Sequence, residues 1–460
     1  MTQRVSKALL LLAVFLCGLF SISALADSQV RIVRLSDLEG DVQIDHGTGY
    51  EKALRNMPVT QGVKLWTKDG GLAEVEFEDG STVRLTPNTK VEFPQLFLHD
   101  SGAKVSTVVV SQGTAYFNIG KQKKDEFTVE FGDQHVAIKD ASAFRIDRND
   151  PQVKLAVTKG ELDVQGPSGE AKVAKNHTLN INLGGQQTYE VAKGVPPDQY
   201  DKWNRQEGKF QNQYNYNNAA TGSWPYSYGL ADLNYYGNYF YSPGFGWLWQ
   251  PYYMGVGWDP FMNGAWSYYP GVGYTFISQY PWGWMPYRYG NWVFVPSLGW
   301  AWQPGGFYGW NAMPVIVNPP AGYRVPRAPV ATAVNHPTMA INPVTRAPIP
   351  LAAAMRDGVF NAHAVAAGSR VAGRMVTSVP VHGGNASMVR GTMGPHGTML
   401  GRRGSISRSP SMMGPRMGTF GGARNGGARM GGYGGVGRAG SIGVAHPSAP
   451  APAPAPTPHR

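Results

Sequence analysis

The stretch from Leu72 to Asn88, LAEVEFEDGSTVRLTPN, constrains the fold more than any other in the chain. Ala73, Val75 and Phe77 alternate with Glu74, Glu76 and Glu78, the two-residue period of a strand with one apolar and one polar face. A two-residue loop at Asp79-Gly80 would set Val75 and Phe77 against Thr82 and Arg84, mixing the faces. A three-residue loop Glu78-Asp79-Gly80, with Gly80 in the left-handed conformation, instead pairs Val75 with Val83 and Ala73 with Leu85. The expected unit is a hairpin with an apolar face turned to a core and a solvated carboxylate row that discourages edge pairing.

A second hairpin is expected at VKLAVTKGELDVQG, where a Lys159-Gly160 turn would pair Val157 with Leu162 and Leu155 with Val164. Short strand patterns precede and separate these two: Arg31–Leu35, Gly40–Ile44, Val63–Trp66, Val105–Val110, Ala115–Ile119, Phe127–Phe131, Val136–Ile138 and Phe144–Ile146. Their spacing carries no helical period and suggests a β-sandwich or barrel of short antiparallel strands.

Several of these residues form a recognisable set. Asp79-Gly80-Ser81, the run Arg84 to Thr89, Gln112 to Ile119, Phe127-Thr128-Val129, Phe144-Arg145-Ile146 and Lys159 to Leu162 follow in the order and spacing of a FecR domain. From about Gly40 to Gly166 the chain resembles that module of bacterial envelope proteins, typified by regulators that relay a periplasmic signal to a sigma factor. Where the family has Gly-Thr ahead of the position of Phe144, this chain has Ala141-Ser142. The resemblance implies recognition of a protein partner or an envelope component.

The rest of the chain has a different composition. Of 59 Gly and 35 Pro, most lie beyond position 220. Residues 1–26 read as an export signal, with Arg4 and Lys7, an apolar run from Ala8 to Phe20, and Ala24-Leu25-Ala26 before Asp27. The run is short for a permanent span and no later segment reaches the needed length. The single cysteine, Cys17, lies inside that run behind Leu16, which does not suit a lipoprotein site, so the exported chain has neither disulfides nor thiolate metal sites. Residues 27–200 hold 20 Lys and Arg against 25 Asp and Glu, a balance of −5, whereas 311–460 hold 15 Arg, no Lys and only Asp357, a balance of +14. The expected order is a signal peptide at 1–26, a FecR-like β domain at 27–195, a linker helix at 196–213, an aromatic repeat domain at 214–310, and a disordered basic tail at 311–460, with transient helix near Leu351 to Arg356. Asp198 would cap the linker helix, whose apolar side is Tyr200, Trp203 and Phe210.

The repeat domain carries G-x-[WY]-x-[YF]-x-P-x-x-G-[WY] three times, starting at Gly237, Gly264 and Gly290. A second element, W-x-W-x-P, starts at Trp247, Trp282 and Trp300. Each copy is expected to be a β-hairpin with its aromatics two residues apart on one face. The region resembles a tryptophan-tyrosine-glycine repeat domain that follows FecR domains in some exported bacterial proteins. Two roles stay open for Tyr239, Trp247, Trp249, Trp266, Trp282, Trp284, Trp292, Trp300 and Trp302: an exposed strip stacking on sugar rings or cationic groups, or the core of a domain poor in Leu, Ile and Val.

Nothing in the sequence has catalytic spacing. The histidines are scattered without a ligand pattern, and the Gly-rich runs lack the Lys-Ser/Thr of a phosphate loop. Neither a metal nor another cofactor is expected. A glycan-active enzyme would need two facing acids, for which residues 215–310 supply Asp232 and Asp259. The reading is an exported, non-enzymatic recognition module of the periplasm, outer envelope or extracellular space. Its expected partner is an envelope protein or glycan, with the Arg-rich tail contacting anionic envelope polymers and nucleic acid excluded as the native partner. A structural or adhesive envelope protein is the alternative.

Overall fold

The structure, a computed structural model, describes residues 31–360 except 185–186, 223, 225, 253–256, 308, 310–312, 330–337, 343 and 359, together with three short strands between 374 and 400. The expected export signal and the Arg-Gly and Ala-Pro stretches of the tail lie outside the described residues. The protein is mainly β. Strands from Val33 to Lys193 build a sandwich of two sheets, neither of them closed into a barrel. The residues expected to form two strands, Val105–Val110 and Ala115–Ile119, form one 16-residue strand, Lys104–Ile119, which belongs to both sheets. Its first half pairs in parallel with Glu126–Phe131 and its second half antiparallel with Ser142–Asn149. Gly113, at φ 84°, lies between the halves with its Cα face against the Thr89 backbone, where no side chain fits.

The Leu72–Asn88 hairpin has the expected register. Ala73 faces Leu85 and Val75 faces Val83, Phe77 N–H donates to Ser81 O at 2.8 Å, and Gly80 has φ 85°. The apolar face enters one core with Val33, Leu35, Val108, Phe117, Phe127 and Leu155, drawn from both sheets. The second expected hairpin does not form. Gln152–Lys159 pairs with Ser142–Asn149 and His177–Asn182, while Glu161–Gly166 pairs with Gln134–Ile138 and Gly169–Ala174 in the other sheet. Lys159-Gly160 is therefore the corner at which the chain changes sheets. Alternation identifies which side of a strand is apolar but not which strand lies beside it, and here each strand is paired on both edges within its own sheet.

The expected solvated face of the first hairpin is also absent. Glu74 and Glu76 are 0% exposed and Glu78 6%. A second layer of chain covers that side of the sheet, and each carboxylate is matched to an arginine. Glu74 accepts from Arg84 Nε at 2.7 Å and from Ser36 Oγ at 2.7 Å. Glu76 accepts from Arg34 at 3.1 Å and from the Gly229 backbone N–H at 3.0 Å. Glu78 takes both prongs of Arg31 at 2.7 Å. The polar row extends across the sheet because Arg84 lies opposite Tyr116, and Tyr116 opposite Arg145.

Helix Asp201–Tyr214 covers that row. Asn204 accepts from Arg84 at 2.8 Å, and Asp201 accepts from both Tyr116 and Arg145. Asp198 does not occupy the cap position, which is Tyr200; it binds the Tyr116 hydroxyl at 2.6 Å and the Tyr200 N–H. Burial, reinforced by these aspartates, pushes the Tyr116 hydroxyl well above the ordinary tyrosine range.

Beyond the helix, three aromatic hairpins form two small sheets. Gly237–Ser242, Gly246–Pro251, Gly299–Phe307, Tyr289–Val295 and Ile316–Val317 make one; Gly273–Ser278, Gly264–Tyr269, Thr338–Ile341 and Pro348–Pro350 make the other. The last two strands lie in the segment expected to lack order from 311, and helix Leu351–Arg356 stands where a transient helix was expected; Leu351, Ala354 and Phe360 are buried against the sandwich core with Ala265, Ile277 and Ala340. Low apolar content hides this order in the sequence, since small alanines suffice where a strand is laid on an existing sheet.

Removing one partner of a fully buried pair leaves an uncompensated charge, at a cost of about 3–5 kcal/mol. Glu76→Ala is expected to lower the unfolding free energy by that amount in a denaturant titration. Glu92→Ala, which removes the exposed Lys64–Glu92 contact at 3.9 Å, is expected to change it by no more than about 1 kcal/mol.

Candidate functional site

In each aromatic repeat, register follows the motif. The first aromatic of the pattern faces the second strand as Tyr239–Trp249, Trp266–Phe276 and Trp292–Trp302. The next aromatic, one step closer to the turn, pairs as Tyr241–Trp247, Tyr268–Tyr274 and Phe294–Trp300, with ring centroids 5.9, 5.4 and 5.4 Å apart and edge-on geometry in all three. The motif thus encodes an inner and an outer ring pair. Its opening glycine is where the inner ring lies: a Cβ on Gly237 would strike Trp249, and one on Gly264 would strike Phe276. The closing glycine supplies the positive φ of the turn, 78°, 98° and 80° at Gly246, Gly273 and Gly299.

The burial of these rings decides between strip and core for most of the candidate residues. Trp249, Trp284, Trp292 and Trp302 are 0% exposed, and Trp266, Trp282 and Trp300 no more than 5%. They pack on one another and on Phe261, Tyr287 and Tyr289, with Trp249–Trp282 centroids at 5.1 Å and Tyr280–Trp282 stacked at 4.6 Å. Two of the indole N–H groups are anchored to backbone, Trp249 to Leu233 O at 2.9 Å and Trp302 to Tyr289 O at 2.7 Å. Of the two roles left open, these seven take the core, closed to solvent in a region poor in aliphatic side chains, and a ligand-facing strip is not available to them. The middle W-x-W-x-P copy is not a strand either. Trp284 precedes a single 3-10 turn, Met285–Tyr287, and the Arg288 guanidinium lies 4.0 Å over the Trp284 ring. Burial lowers that guanidinium to about 10, so it remains protonated at neutral pH.

Of the candidate rings, Trp247 stays open at 39% and Tyr239 is half-buried. The partner of Trp247, Tyr241, is 65% exposed and was not singled out in the sequence. Its signal was available: it fills the same motif position as Tyr268 and Phe294. What distinguishes the first hairpin is its lack of a cover. In the third, Tyr323 closes over Trp300 with centroids 4.8 Å apart.

The remaining candidate residues have structural partners. Asp79 binds Ser81 within the hairpin turn, and Gly80 and Gly160 supply positive φ. Lys159 is exposed at the corner between sheets. The two acids required for glycan hydrolysis do not form a facing pair: Asp232 is bound to Arg34 at 2.6 Å, while Asp259 is bound to Arg346 and to the Tyr323 hydroxyl. Among the described residues no group of three His, Cys, Asp or Glu could hold a metal ion. No described helix is long and apolar enough to cross a membrane.

Truncating a fully enclosed ring leaves a cavity costing about 3–5 kcal/mol. Trp292→Ala is expected to lose that much stability, whereas Trp247→Ala, removing a ring left 39% exposed at a hairpin end, is expected to lose about 1 kcal/mol or less. Thermal unfolding of the two variants side by side checks both values.

Comparison with known proteins agrees with these two regions. The FecR protein family matches residues 63–163, and a family of unknown function, DUF6600, matches residues 230–329. No curated protein matches the chain. Two crystal structures described as a candidate anti-sigma factor from Parabacteroides distasonis, at 1.65 and 2.50 Å, are 20% identical over 28% of this chain and 60% of that chain. Their TM-score of 0.25 is too low to bear on fold or function. The chain carries a FecR domain followed by a DUF6600 domain.

Proposed function

We propose that the protein is a non-enzymatic recognition protein of the bacterial envelope, reaching its site through the export signal at 1–26. In this reading the FecR and DUF6600 regions act as one body, and the open end of the first aromatic hairpin meets an envelope glycan or protein. Several features support it. The charged groups that could have been catalytic are consumed in buried pairs: Glu74, Glu76, Glu78 and Asp232 with arginines of the sandwich, and Asp259 with Arg346. FecR domains otherwise occur in regulators of the envelope. The observation that carries the choice of surface is the uncovered Tyr241–Trp247 pair, 65% and 39% exposed, at a motif position that is closed in the third repeat. Two aromatic faces at the end of a rigid hairpin lose little conformational freedom on binding and can stack on a sugar ring, an aliphatic side chain or a cation.

The test is retention of the exported chain on peptidoglycan, on outer-envelope polysaccharide and on an envelope protein fraction. Wild type is expected to be retained, and Tyr241→Ala/Trp247→Ala to bind at least tenfold more weakly, about 1.4 kcal/mol, with an unchanged melting curve. Equal retention of wild type and the double variant would remove the hairpin as the binding surface.

A further inference from the structure

A second surface lies at the far side of Tyr323 and involves none of the hairpin rings just discussed except Trp300 beneath it. The extended segment 323–329 and residues 345–348 bound an open cleft of about 760 Å³. Arg324, Arg327 and Arg346 line it together with Tyr323, Thr345 and Pro348. The volume is that of a compact small-molecule site.

The cleft has a fixed side and an open side. Arg346 is fixed: it pairs with Asp259, donates to Phe261 O at 3.1 Å, and lies 5.9 Å from the Tyr323 ring. Its backbone, at φ 61°, is held by a turn in which Asn342 accepts from the Arg346, Val344 and Thr345 N–H groups. Tyr323 is equally immobile, packed on Trp300 and hydrogen-bonded to Asp259 at 3.2 Å. Arg324 and Arg327, by contrast, are exposed, and among the described residues no carboxylate pairs with either. Three guanidiniums against one carboxylate leave the cleft with a charge of +2. Its remaining walls, Val325, Ala328, Ala347 and Pro348, carry no polar side-chain group.

We propose that this cleft binds an oxyanion, a carboxylate or phosphate, carried on a compact body about the size of one or two sugar units. Arg324 and Arg327 supply the guanidinium forks that match such an oxyanion, which a lysine ammonium would not reproduce. The alanine and proline walls face the ligand's less polar body, and the Tyr323 edge with the Thr345 hydroxyl sets its orientation. The partner class is an acidic saccharide unit or a phosphorylated sugar. The site stands whether or not the Tyr241–Trp247 pair binds anything.

The test uses the full chain, with its basic tail intact, titrated at low salt with digalacturonate, inorganic phosphate and phosphatidylglycerol vesicles in separate arms. The wild type is expected to bind digalacturonate or phosphate saturably, and the stronger of the two identifies the oxyanion. Arg324→Ala/Arg327→Ala is expected to weaken that binding at least tenfold, and Arg324→Lys/Arg327→Lys to recover only part of it. Both variants should melt with the wild type because both side chains are exposed. Unchanged affinity in the alanine variant would assign the binding to the tail and overturn the proposal, as would binding to vesicles without binding to either small oxyanion.

Discussion

The row of carboxylates on the outer side of the Leu72–Glu76 strand is the constraint on which the rest of the molecule depends. Three glutamates in five residues cannot be buried unless each finds a cation and further donors, and the cost of failing is several kcal/mol for each one left alone. Arg34 and Arg84 meet them from neighbouring strands and Arg31 from just ahead of the first strand, but the row is complete only when later parts of the chain arrive. The Gly229 N–H completes Glu76, Asp232 shares Arg34, and Asn204 shares Arg84. Arg34 also donates to Pro281 O at 2.8 Å, while Asn56 beside it donates to Ser278 and Tyr280 carbonyls. The charges therefore specify a docking geometry that a purely apolar face would leave free to slide. Tyr269, with its hydroxyl on Pro58 O and its ring stacked 4.7 Å from His46, and Thr338 on Glu51 extend the same junction.

Once docked, the aromatic region has a rigid floor to build on. Its rings replace the branched aliphatics of an ordinary core, and the glycines of the motif are the space those rings occupy. Ala265, Ile277 and Ala340 turn the other way and join the sandwich core, so one hairpin serves two clusters at once. What this packing leaves uncovered is an aromatic pair at one hairpin end and a cleft in which Arg324 and Arg327 have no carboxylate partner among the described residues.

Legibility in the sequence followed from what each pattern physically encodes. Two-residue alternation gave the register of Ala73–Leu85 because both faces of that hairpin differ in polarity and a slip would exchange them. It misplaced Glu74, Glu76 and Glu78 because a polar face covered by a complementary polar layer looks the same in sequence as one covered by water. One hint was local, since the same register sets Arg84 opposite Glu74, whereas the pairing of Arg31 and Arg34 is long-range and invisible to a local window. The Lys159-Gly160 corner was misread for a related reason, since a tight turn between apolar strands serves a hairpin and a change of sheet equally well. The three aromatic hairpins were readable because seven positions recur, yet repetition alone could not say that Tyr323 covers the third outer pair while the first stays open.

The most direct test of this account is hydrogen exchange across rising sub-denaturing urea, comparing amides in Val33–Glu39 and Thr82–Leu85 with those in Gly264–Tyr269 and Tyr289–Val295. If the buried charge row joins the two regions into one cooperative body, all four strands open at the same denaturant concentration and with the same free energy. Opening of the aromatic strands at markedly lower urea, with the sandwich strands still protected, would show that the row does not join them and would contradict the account.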